Sequence, residues 1–363
     1  MDEPTRSLCR AWWRLKQLPG VGAVTLGDIR QSLDSPLELL HAGVDVLAAS
    51  GLHPAACERW LHDPQLDQGL ERLYDWCQVP GQGVLMAGIA PYPEALSALS
   101  DAPLFLYWRG RLDCLQQPCV AMVGSRNPTP YARDWAFQCG RDLAAAGVCV
   151  VSGMALGIDG AAHEGALQTG TSIAVLGCGA DVAYPRRHRG LMDRLAVQGL
   201  LLSEFAPGTQ PLAPYFPARN RIVSGLCSAV VVAEAAIRSG SLITARLAAN
   251  QGREVMALPG AVTNPLSHGC HQLIRDGALL VQSAADVLEG LGVFSLTTVQ
   301  AGITGARPEP VPALVTLVDY QGSSVDLLAI RSGLGIAELL PQLMELELEG
   351  WLQKQAGGYR RLR

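Results

Sequence analysis

Residues 229–260 read AVVVAEAAIRSGSLITARLAANQGREVMALPG. Two apolar runs, 229–235 and 254–260, flank a segment that is long enough for a helix. Near-continuous apolar strands separated by helices are typical of a parallel sheet that is covered on both faces. This stretch therefore predicts one strand–helix–strand unit of a doubly wound α/β fold.

The same pattern extends over residues 79–292. Further apolar runs are interpreted as strands at 104–108, 119–124, 148–153, 172–177, 200–205 and 278–283. We therefore expect a doubly wound, mainly parallel Rossmann-like sheet. Residues 1–78 and 312–363 have helical periodicity instead, and residues 293–311 end in Pro-Glu-Pro, which suits a linker. The predicted organisation is an N-terminal helical domain (1–78), a Rossmann-like domain (79–292), a linker (293–311) and a C-terminal domain (312–363).

The composition limits the classes of protein that fit the chain. Of its 363 residues, 49% are apolar and 17% are charged, and the net charge is −5, which by itself argues against nucleic-acid binding. No apolar run of membrane-spanning length lacks polar breaks, and the first residues lack the apolar centre of a secretion signal. The ten cysteines form no C-x-x-C pair. This scatter argues against a zinc ribbon or a disulfide framework and favours the reducing cytoplasm.

Glycine, serine and arginine follow the predicted strands, at the sheet edge where such folds bind ligands. Glycine lets the backbone approach a ligand closely, and helix N-termini present unpaired N–H groups that favour phosphate. We interpret these loops as a phosphate-binding rim. An alternative stays open, in which the glycines form ordinary turns and the arginines pair with Glu204, Glu234 or Asp159. The candidate phosphate-binding residues are Arg126, Arg219, Asn220, Arg221, Ser239, Gly240, Ser241 and Thr244.

The sequence predicts no catalytic, metal or cofactor site. It contains no G-x-x-x-x-G-K-[ST] motif and no nucleophile elbow around a serine. Asp159 and His163 are four residues apart, on one face of a predicted helix, which is a spacing compatible with a general-base pair or a metal pair. Because a third ligand and a nucleophile are missing, a structural role is favoured for this histidine.

Several motifs together resemble the DNA-processing protein A family (DprA, also called Smf). They are GSR, SGMALGIDGAAHEGAL, GCGADVAYP, FPARNRIVSGL, VVVAEAAIRSGSLITARLAANQGREVMALPG and LIRDGA, and they span about residues 85–290. The resemblance implies a non-enzymatic homodimer that binds single-stranded DNA through its Rossmann-like domain. It also implies loading of the RecA recombinase onto that strand in natural transformation and homologous recombination. By motif match, the DNA-binding residues are Gly124, Ser125, Arg126, Gly153, Arg219, Asn220, Arg221, Ser239, Gly240, Ser241 and Thr244.

The chain departs from the family pattern at two positions, since His188 and His271 stand at or near places where asparagine is usual. The segment LPGVGAVTL (18–26) predicts a helix-hairpin-helix, which either donates backbone N–H groups to DNA or is a plain interhelix turn. The C-terminal domain is predicted to be a winged helix. Because its second helix carries Glu338, Glu345, Glu347 and Glu349 but no lysine or arginine, a role in protein interaction or self-association is favoured over duplex binding.

Two other functions are weighed against single-stranded DNA binding. The first is a nucleotide-processing enzyme of the phosphoribohydrolase type on a related fold. Such enzymes carry a P-G-G-x-G-T-x-x-E motif. The corresponding stretch here, EAAIRSGSLITA, has no glutamate at the place where that motif ends. The second is a nucleotide-sensing regulator that binds duplex DNA through its winged helix, which the acidic second helix disfavours.

Overall fold

The computed structural model describes residues 3–32, 38, 44–49, 51–292, 311–320, 322–355 and 357–362. Within these limits the chain forms two compact units. The first contains the residues up to 292 apart from 129–131, and the second contains the C-terminal residues from 311 onward. Each unit has a hydrophobic core of its own.

The first unit is built on one sheet, which has nine strands in the described part of the chain. The strands are β1 (Gln82–Met86), β2 (Phe105–Gly110), β3 (Cys119–Val123), β4 (Cys149–Ser152), β5 (Ser172–Leu176), β6 (Leu200–Ser203), β7 (Ala229–Val232), β8 (Glu254–Ala257) and β9 (Leu279–Leu280). Their order across the sheet is β1-β2-β6-β5-β4-β3-β7-β8-β9. Neighbours from β6 to β9 are parallel, whereas β1 and β2 form an antiparallel edge beside β6. The mainly parallel sheet is thus confirmed, and β1 is a strand that was not predicted.

Helices cover both faces of this sheet. After the N-terminal helices, five in the described residues, come α6 (Glu94–Ser97), α7 (Pro130–Ala145), α8 (Ile158–Thr169), α9 (Arg189–Gln198), α10 (Tyr215–Gly225), α11 (Ser241–Asn250), α12 (His268–Arg275) and α13 (Ala284–Gly290). Alternate residues of β3 face opposite cores, with Val120 and Met122 in one cluster and Ala121 and Val123 in the other. This alternation follows from the two-residue period of a strand and confirms the doubly wound architecture.

The strand–helix–strand segment at residues 229–260 folds as predicted. All four residues of β7 are buried, as a central parallel strand requires. In α11 the buried apolar positions Leu242, Ala245 and Ala248 recur every three residues, so they line one helix face that packs on the sheet. Strand β8 then returns in parallel beside β7.

The N-terminal helices are α1 (Glu3–Gln17), α2 (Ala23–Ser32), α3 (Val44–Ala49), α4 (Pro54–His62) and α5 (Leu70–Gln78). A turn at Gly20 (φ +77°) joins α1 to α2, and this backbone angle favours glycine. The helices share a core with the first strands of the sheet. The ring centroids of Trp13 and Phe105 are 6.4 Å apart, and the Trp76 indole donates to the Gly83 carbonyl (2.9 Å). The domain boundary near residue 78 stays a prediction.

The second unit is a winged helix, as predicted. It contains α14 (Ala313–Thr316), β10 (Ser323–Ser324), α15 (Val325–Ser332), α16 (Ile336–Leu348), β11 (Leu352–Gln355) and β12 (Gly358–Arg361). Its three strands pair in the order β10-β12-β11, and Leu328, Leu339 and Tyr359 lie in its core. The predicted linker lies outside the described residues except for residue 311. No single described helix is long and apolar enough to cross a membrane, and α15 with α16 meets that criterion only as a pair bent by 105°.

Candidate nucleic-acid interface

A groove of about 540 Å³ opens at the carboxyl edge of the parallel sheet. The loops after β3, β4 and β7 and the N-terminal half of α10 form its walls. Most of the candidate phosphate-binding residues meet here, although they come from distant parts of the sequence. The predicted residues that line this groove are Gly124, Arg126, Arg219, Asn220, Ser239, Gly240, Ser241 and Thr244.

Arg219 lies buried at the floor of this groove. One of its terminal nitrogens donates to the Val175 carbonyl, but its Nε–H is buried without a hydrogen-bond partner. Within the described residues, no carboxylate oxygen lies within 4.0 Å of the guanidinium. Burial lowers the pKa of Arg219 from its ordinary value, and the charge of Asp159 partly offsets this. A guanidinium does not deprotonate in proteins, so Arg219 is a buried cation, and its charge favours an anion at the floor of the groove.

The loop after β4 is shaped around this arginine. A Cβ atom on Gly153 would lie only 1.9 Å from an Nη of Arg219, so a larger residue would displace the guanidinium. The Asp159 carboxylate accepts hydrogen bonds from the backbone N–H groups of Gly153 (3.1 Å) and Ala155 (3.2 Å). Burial raises the pKa of Asp159, and the Arg219 charge acts in the opposite direction. Asp159 therefore fixes the loop that seats Arg219. Gly153 itself lines a smaller cavity beside the groove rather than the groove.

A helix start forms the opposite wall. Gly240 is the N-cap of α11, and the Ser241 hydroxyl donates to the Gly124 carbonyl (2.8 Å), which ties this helix start to the loop after β3. The Ser239 hydroxyl in turn lies 3.1 Å from the Ser241 hydroxyl. A helix N-terminus carries a partial positive charge, and here it lies across the groove from a buried cation. Both walls thus favour an anion between them.

The GSR loop contributes through its backbone and one side chain. The Ser125 N–H donates to the Glu234 carbonyl (2.7 Å), and the Ser125 carbonyl accepts from the Ile158 N–H (3.1 Å), so Ser125 holds neighbouring loops together and is not a lining residue. Arg126 is exposed, and its guanidinium carbon lies 5.9 Å from the ring centroid of Phe216. It therefore supplies a second cation at the mouth of the groove.

Arg221 differs from Arg219 in its surroundings, although the two are only two residues apart on α10. Its guanidinium forms ion pairs with Glu204 (2.8 Å) and Asp101 (3.2 Å) and donates to the Ala218 carbonyl (2.7 Å). Burial lowers the pKa of Arg221, but the charges of Glu204 and Asp101 outweigh it, and the pKa is raised. The structure does not bring Arg221 to the groove. Its partners are carboxylates of the fold, the alternative that the sequence analysis kept open.

The three histidines noted in the sequence all have structural contacts. The His163 Nδ1 lies 2.7 Å from the Ser172 hydroxyl, and burial lowers the pKa of this histidine to about 3. The His188 Nδ1 lies 3.0 Å from the Met154 carbonyl, and the His271 Nε2 lies 3.0 Å from the Gly260 carbonyl. Each imidazole thus fastens a loop or a strand. Over the described ranges, no group of three or more His, Cys, Asp or Glu residues is arranged to hold a metal ion.

Some residues of the groove and of the smaller cavity beside it carried no signal in the sequence. Met154 lines the smaller cavity and has a positive φ of 58°, which is rare for a residue other than glycine; its carbonyl contacts His188. Ala155 and Ile243 line the groove itself. Neither alanine nor isoleucine is a residue type that indicates a site. Tyr184 and Phe216, which do line it, form an aromatic pair with ring centroids 5.3 Å apart.

Comparisons with known proteins agree with the motifs. A family model described as DNA recombination-mediator protein A matches residues 84–292, and one described as the DprA winged helix domain matches residues 306–358. Protein Smf of Escherichia coli K12 is 42% identical over 332 residues, which are 89% of this chain and 88% of that protein. DNA processing protein DprA of Streptococcus pneumoniae is 50% identical over 198 residues, which are 54% of this chain and 70% of that protein.

Solved structures lead to the same family. The X-ray structure of DNA processing protein A from Streptococcus pneumoniae matches with a TM-score of 0.68 and 39% identity, and the match covers 77% of this chain and 97% of that one. DNA processing protein A from Helicobacter pylori matches with a TM-score of 0.53 and 33% identity over 56% of this chain and 94% of that one. The family model alone spans more than half of the residues. The chain therefore belongs to the DNA recombination-mediator protein A family.

Proposed function

We propose that this protein binds single-stranded DNA in the groove and loads the RecA recombinase onto it during natural transformation and homologous recombination. The observation that carries the proposal is Arg219, a buried guanidinium without a carboxylate within 4.0 Å in the described chain. Because burying such a charge is costly, the groove favours a ligand that places a negative charge beside the guanidinium. A phosphate of the DNA backbone provides that charge.

The other groove residues extend this contact along the strand. Arg126 at the mouth and the start of α11 on the far wall would hold neighbouring phosphates, and the Asn220 amide would donate to one of them. Gly124 allows the loop after β3 to pack closely on the start of α8, since a Cβ there would lie 2.6 Å from Ile158. A groove of about 540 Å³ has the volume of a small-ligand pocket, which matches one or two nucleotides of an extended strand.

Relatives support the choice of strand. The Helicobacter pylori protein, 33% identical, has been studied for its single-stranded DNA binding mode. We infer that the strand is recognised through phosphate rather than base, since the described groove offers Tyr184 and Phe216 as its aromatic surfaces. The remaining parts of the proposal follow the family: a homodimer formed through the Rossmann-like domain, and a cytoplasmic location that suits ten free cysteines.

We also propose that the protein is not an enzyme. Of the groove-lining residues, Asp159 is the carboxylate, and its oxygen is engaged by the two backbone N–H groups of its own loop. A phosphoribohydrolase needs a free acidic group beside its substrate, which makes that alternative the weaker one. Incubation with nucleoside monophosphates, ATP and labelled DNA should leave each substrate intact.

Two measurements test the proposal. Fluorescence anisotropy with oligonucleotides should show tight binding to a single strand and to its scrambled version, and weak binding to the corresponding duplex. A RecA strand-exchange assay on DNA that is already coated with single-strand binding protein should start sooner when this protein is added. A preference for the duplex, or binding to one defined sequence alone, would count against the groove assignment. Unchanged strand exchange with normal binding would reject the loading step only.

A further inference from the structure

A second cavity, of about 470 Å³, lies between the N-terminal helices and the sheet. Its walls come from α1 (Trp13), the start of α5 (Gly69), β2 (Tyr107) and the loop after β6 (Thr209). Among the residues that the structure describes, it shares no lining residue with the groove. We call it the α5 cavity. Its volume is within the range of about 300–1,000 Å³ that is usual for small-molecule sites.

The exposed part of the α5 cavity is electropositive. Gly69 is the N-cap of α5, and no side chain caps this helix start. The first backbone N–H groups of a helix have no partner within it and carry a partial positive charge. Arg72 adds a full charge from the first turn of the same helix, where it is exposed and, within the described ranges, forms no ion pair. A cation is unfavourable at the start of an isolated helix, and an anion bound there would offset this cost.

The acidic side chains next to this helix start do not supply that anion. Asp67 is held by Arg10 (2.6 Å) and Arg14 (3.1 Å). Glu71 is exposed and does not line the cavity. Of the described residues that do line it, none is Asp or Glu. The cavity therefore favours an anion from outside the chain.

The buried part of the α5 cavity contains two polar groups without partners. Trp13 is 7% exposed and Tyr107 is fully buried. The Trp13 indole N–H and the Tyr107 hydroxyl are both buried without a hydrogen-bond partner in the described chain. Buried polar groups in proteins are nearly always hydrogen-bonded, and a missing bond is costly. Because both residues line the cavity, a ligand whose body carries acceptor atoms would provide the missing bonds.

The walls of the α5 cavity are formed without a ligand. Gly69 has a φ of +86°, and a Cβ atom there would lie 3.2 Å from the Trp13 ring, so glycine lets the helix start pack directly on the indole. On the other side, the Gly208 N–H donates to the Asp181 carboxylate (2.8 Å), which holds the loop after β6 in place. Preformed walls lower the entropy cost of binding.

The two parts of the cavity together select a class of ligand. The exposed part favours a phosphate or a carboxylate. The buried part favours a body with hydrogen-bond acceptors, since a plain hydrocarbon would leave the indole N–H and the hydroxyl unpaired. Leu73, Ala206 and Pro207 add apolar contacts for a flat ring. A nucleotide combines these features, because its base is a flat ring with nitrogen and carbonyl acceptors and its phosphate is an anion.

We propose that the α5 cavity binds a nucleotide, with the phosphate at the start of α5 beside Arg72 and the base toward Trp13 and Tyr107. The site is separate from the groove, and neither assignment depends on the other. A free mononucleotide and one unit of a DNA strand share this chemistry, so the experiment has to separate these two sources.

Isothermal titration calorimetry of the full-length protein with dAMP tests the site. Deoxyadenosine and inorganic phosphate serve as the two halves of this probe. We expect dAMP to bind about 10-fold or more tightly than either half, because each half uses only one part of the cavity. Absent binding of dAMP would overturn the proposal. Equal binding of dAMP and inorganic phosphate would overturn it too, since the base would then not be held.

Variants locate the contact. Arg72→Met should lose about 10-fold or more in affinity for dAMP, as expected for a hydrogen bond from a charged group. The control Arg133→Met changes an exposed arginine of α7 that does not line the cavity, and it should lose none. Trp13→Phe keeps an aromatic ring but removes the indole N–H, so its affinity should fall by about 2- to 10-fold. Equal effects of Arg72→Met and Arg133→Met would reject the site.

A spectroscopic measurement does not depend on how well the Trp13 variant folds. In the wild type labelled with ¹⁵N-tryptophan, dAMP should shift the indole N–H resonance of Trp13, which is identified by its absence in Trp13→Phe. A hydrogen bond to the base produces this shift, whereas a purely structural indole would not respond. A Trp13 resonance that stays in place at saturating dAMP would contradict the proposed position of the base.

Two further titrations separate the cavity from the groove and identify the source of the nucleotide. Arg219→Met should bind dAMP as the wild type does. A loss in that variant that Arg72→Met does not share would place dAMP in the groove and overturn the proposal. A short single strand is then added to the dAMP complex. Displacement of dAMP would support the site and assign its nucleotide to the strand, and retention of dAMP would support it as a site for a free mononucleotide.

Discussion

Arg219 and Arg221 offer a matched test of the proposal that the groove binds DNA, because both are buried arginines on α10 and only two residues apart. We consider Arg219→Met and Arg221→Met. Methionine keeps the unbranched stem of arginine as far as the Nε position and removes the charged end. Both variants carry the same new side chain. They differ in the contacts that are lost with the guanidinium.

Arg219→Met should weaken binding and leave the fold intact. A hydrogen bond from a charged group contributes about 1.5–3 kcal/mol, which corresponds to a loss of roughly 10- to 150-fold in affinity for a single strand. Each single-strand phosphate contact adds about 0.7 to the log–log dependence of affinity on salt, so the slope should become shallower by about that amount. Stability should change by no more than about 1.5 kcal/mol, because the lost contact to the Val175 carbonyl is offset by removing a buried charge without a carboxylate beside it.

Arg221→Met should have the opposite profile. It removes the ion pairs with Glu204 and Asp101 and leaves two acidic groups without their cation. Breaking a buried ion pair on one side costs about 3–5 kcal/mol, and because Asp101 is partly exposed we expect the lower end, about 3 kcal/mol. For a unit of this size that lowers the melting temperature by roughly 6–12 °C. The salt slope of the protein that remains folded should equal that of the wild type.

Both quantities are measured on the same samples. Calorimetry or circular dichroism gives the melting temperature, and anisotropy titrations between about 50 and 200 mM salt give the slope. The assignment of Arg219 to a phosphate is refuted if Arg219→Met keeps the wild-type slope, or if it destabilises the protein as much as Arg221→Met. A shallower slope in Arg221→Met would mean that this side chain also contacts the strand.

Three further outcomes are expected. Arg126→Met should make the salt slope shallower by about 0.7. Its melting temperature should not change, because Arg126 is exposed. An unchanged slope would show that Arg126 does not contact the strand. Gly153→Ala should weaken binding as much as Arg219→Met, because its Cβ would occupy the guanidinium position. The double variant should bind DNA no more weakly than either single variant, and additive losses of affinity would contradict this. His163 is held neutral in the fold with a pKa of about 3, so protonation of the unfolded chain should cost the wild type about 1.6 kcal/mol between pH 6.5 and 5. His163→Gln should lack this loss in urea unfolding, and an equal loss in both proteins would argue against a buried neutral imidazole.

Most of the sheet could be predicted because a central parallel strand has to be apolar on both faces. AVVV of β7 and CVAMV of β3 carry that requirement in their composition. Strand β1, QGVLM, does not, since it lies at the antiparallel edge and buries only some of its residues. An edge strand with a glycine and a glutamine has no pattern that separates it from a loop.

The different surroundings of Arg219 and Arg221 could not be predicted from the sequence. The sequence predicts one phosphate-binding rim that contains both Arg219 and Arg221. In the structure both lie inside α10, where a separation of two residues turns the side chains by about 200°. Arg219 therefore faces the groove and Arg221 faces Glu204 and Asp101. Which of the two arginines faces the groove depends on where α10 begins. Helix boundaries are the least certain part of a prediction from sequence.

A net charge of −5 has a consequence for how such a groove must work. The protein as a whole repels a polyanion, so long-range attraction contributes little to the encounter. Affinity has to come from the few cations that touch phosphate. With Arg126 and Arg219 as those cations, the salt slope of the wild type should be only about −1.4 per bound protomer. It should fall to about −0.7 in either single variant and close to zero in the double variant. A much steeper slope would mean that arginines outside this groove also contact the strand, and the exposed arginines Arg186 and Arg187, which follow Tyr184 in the sequence, would be the first to substitute.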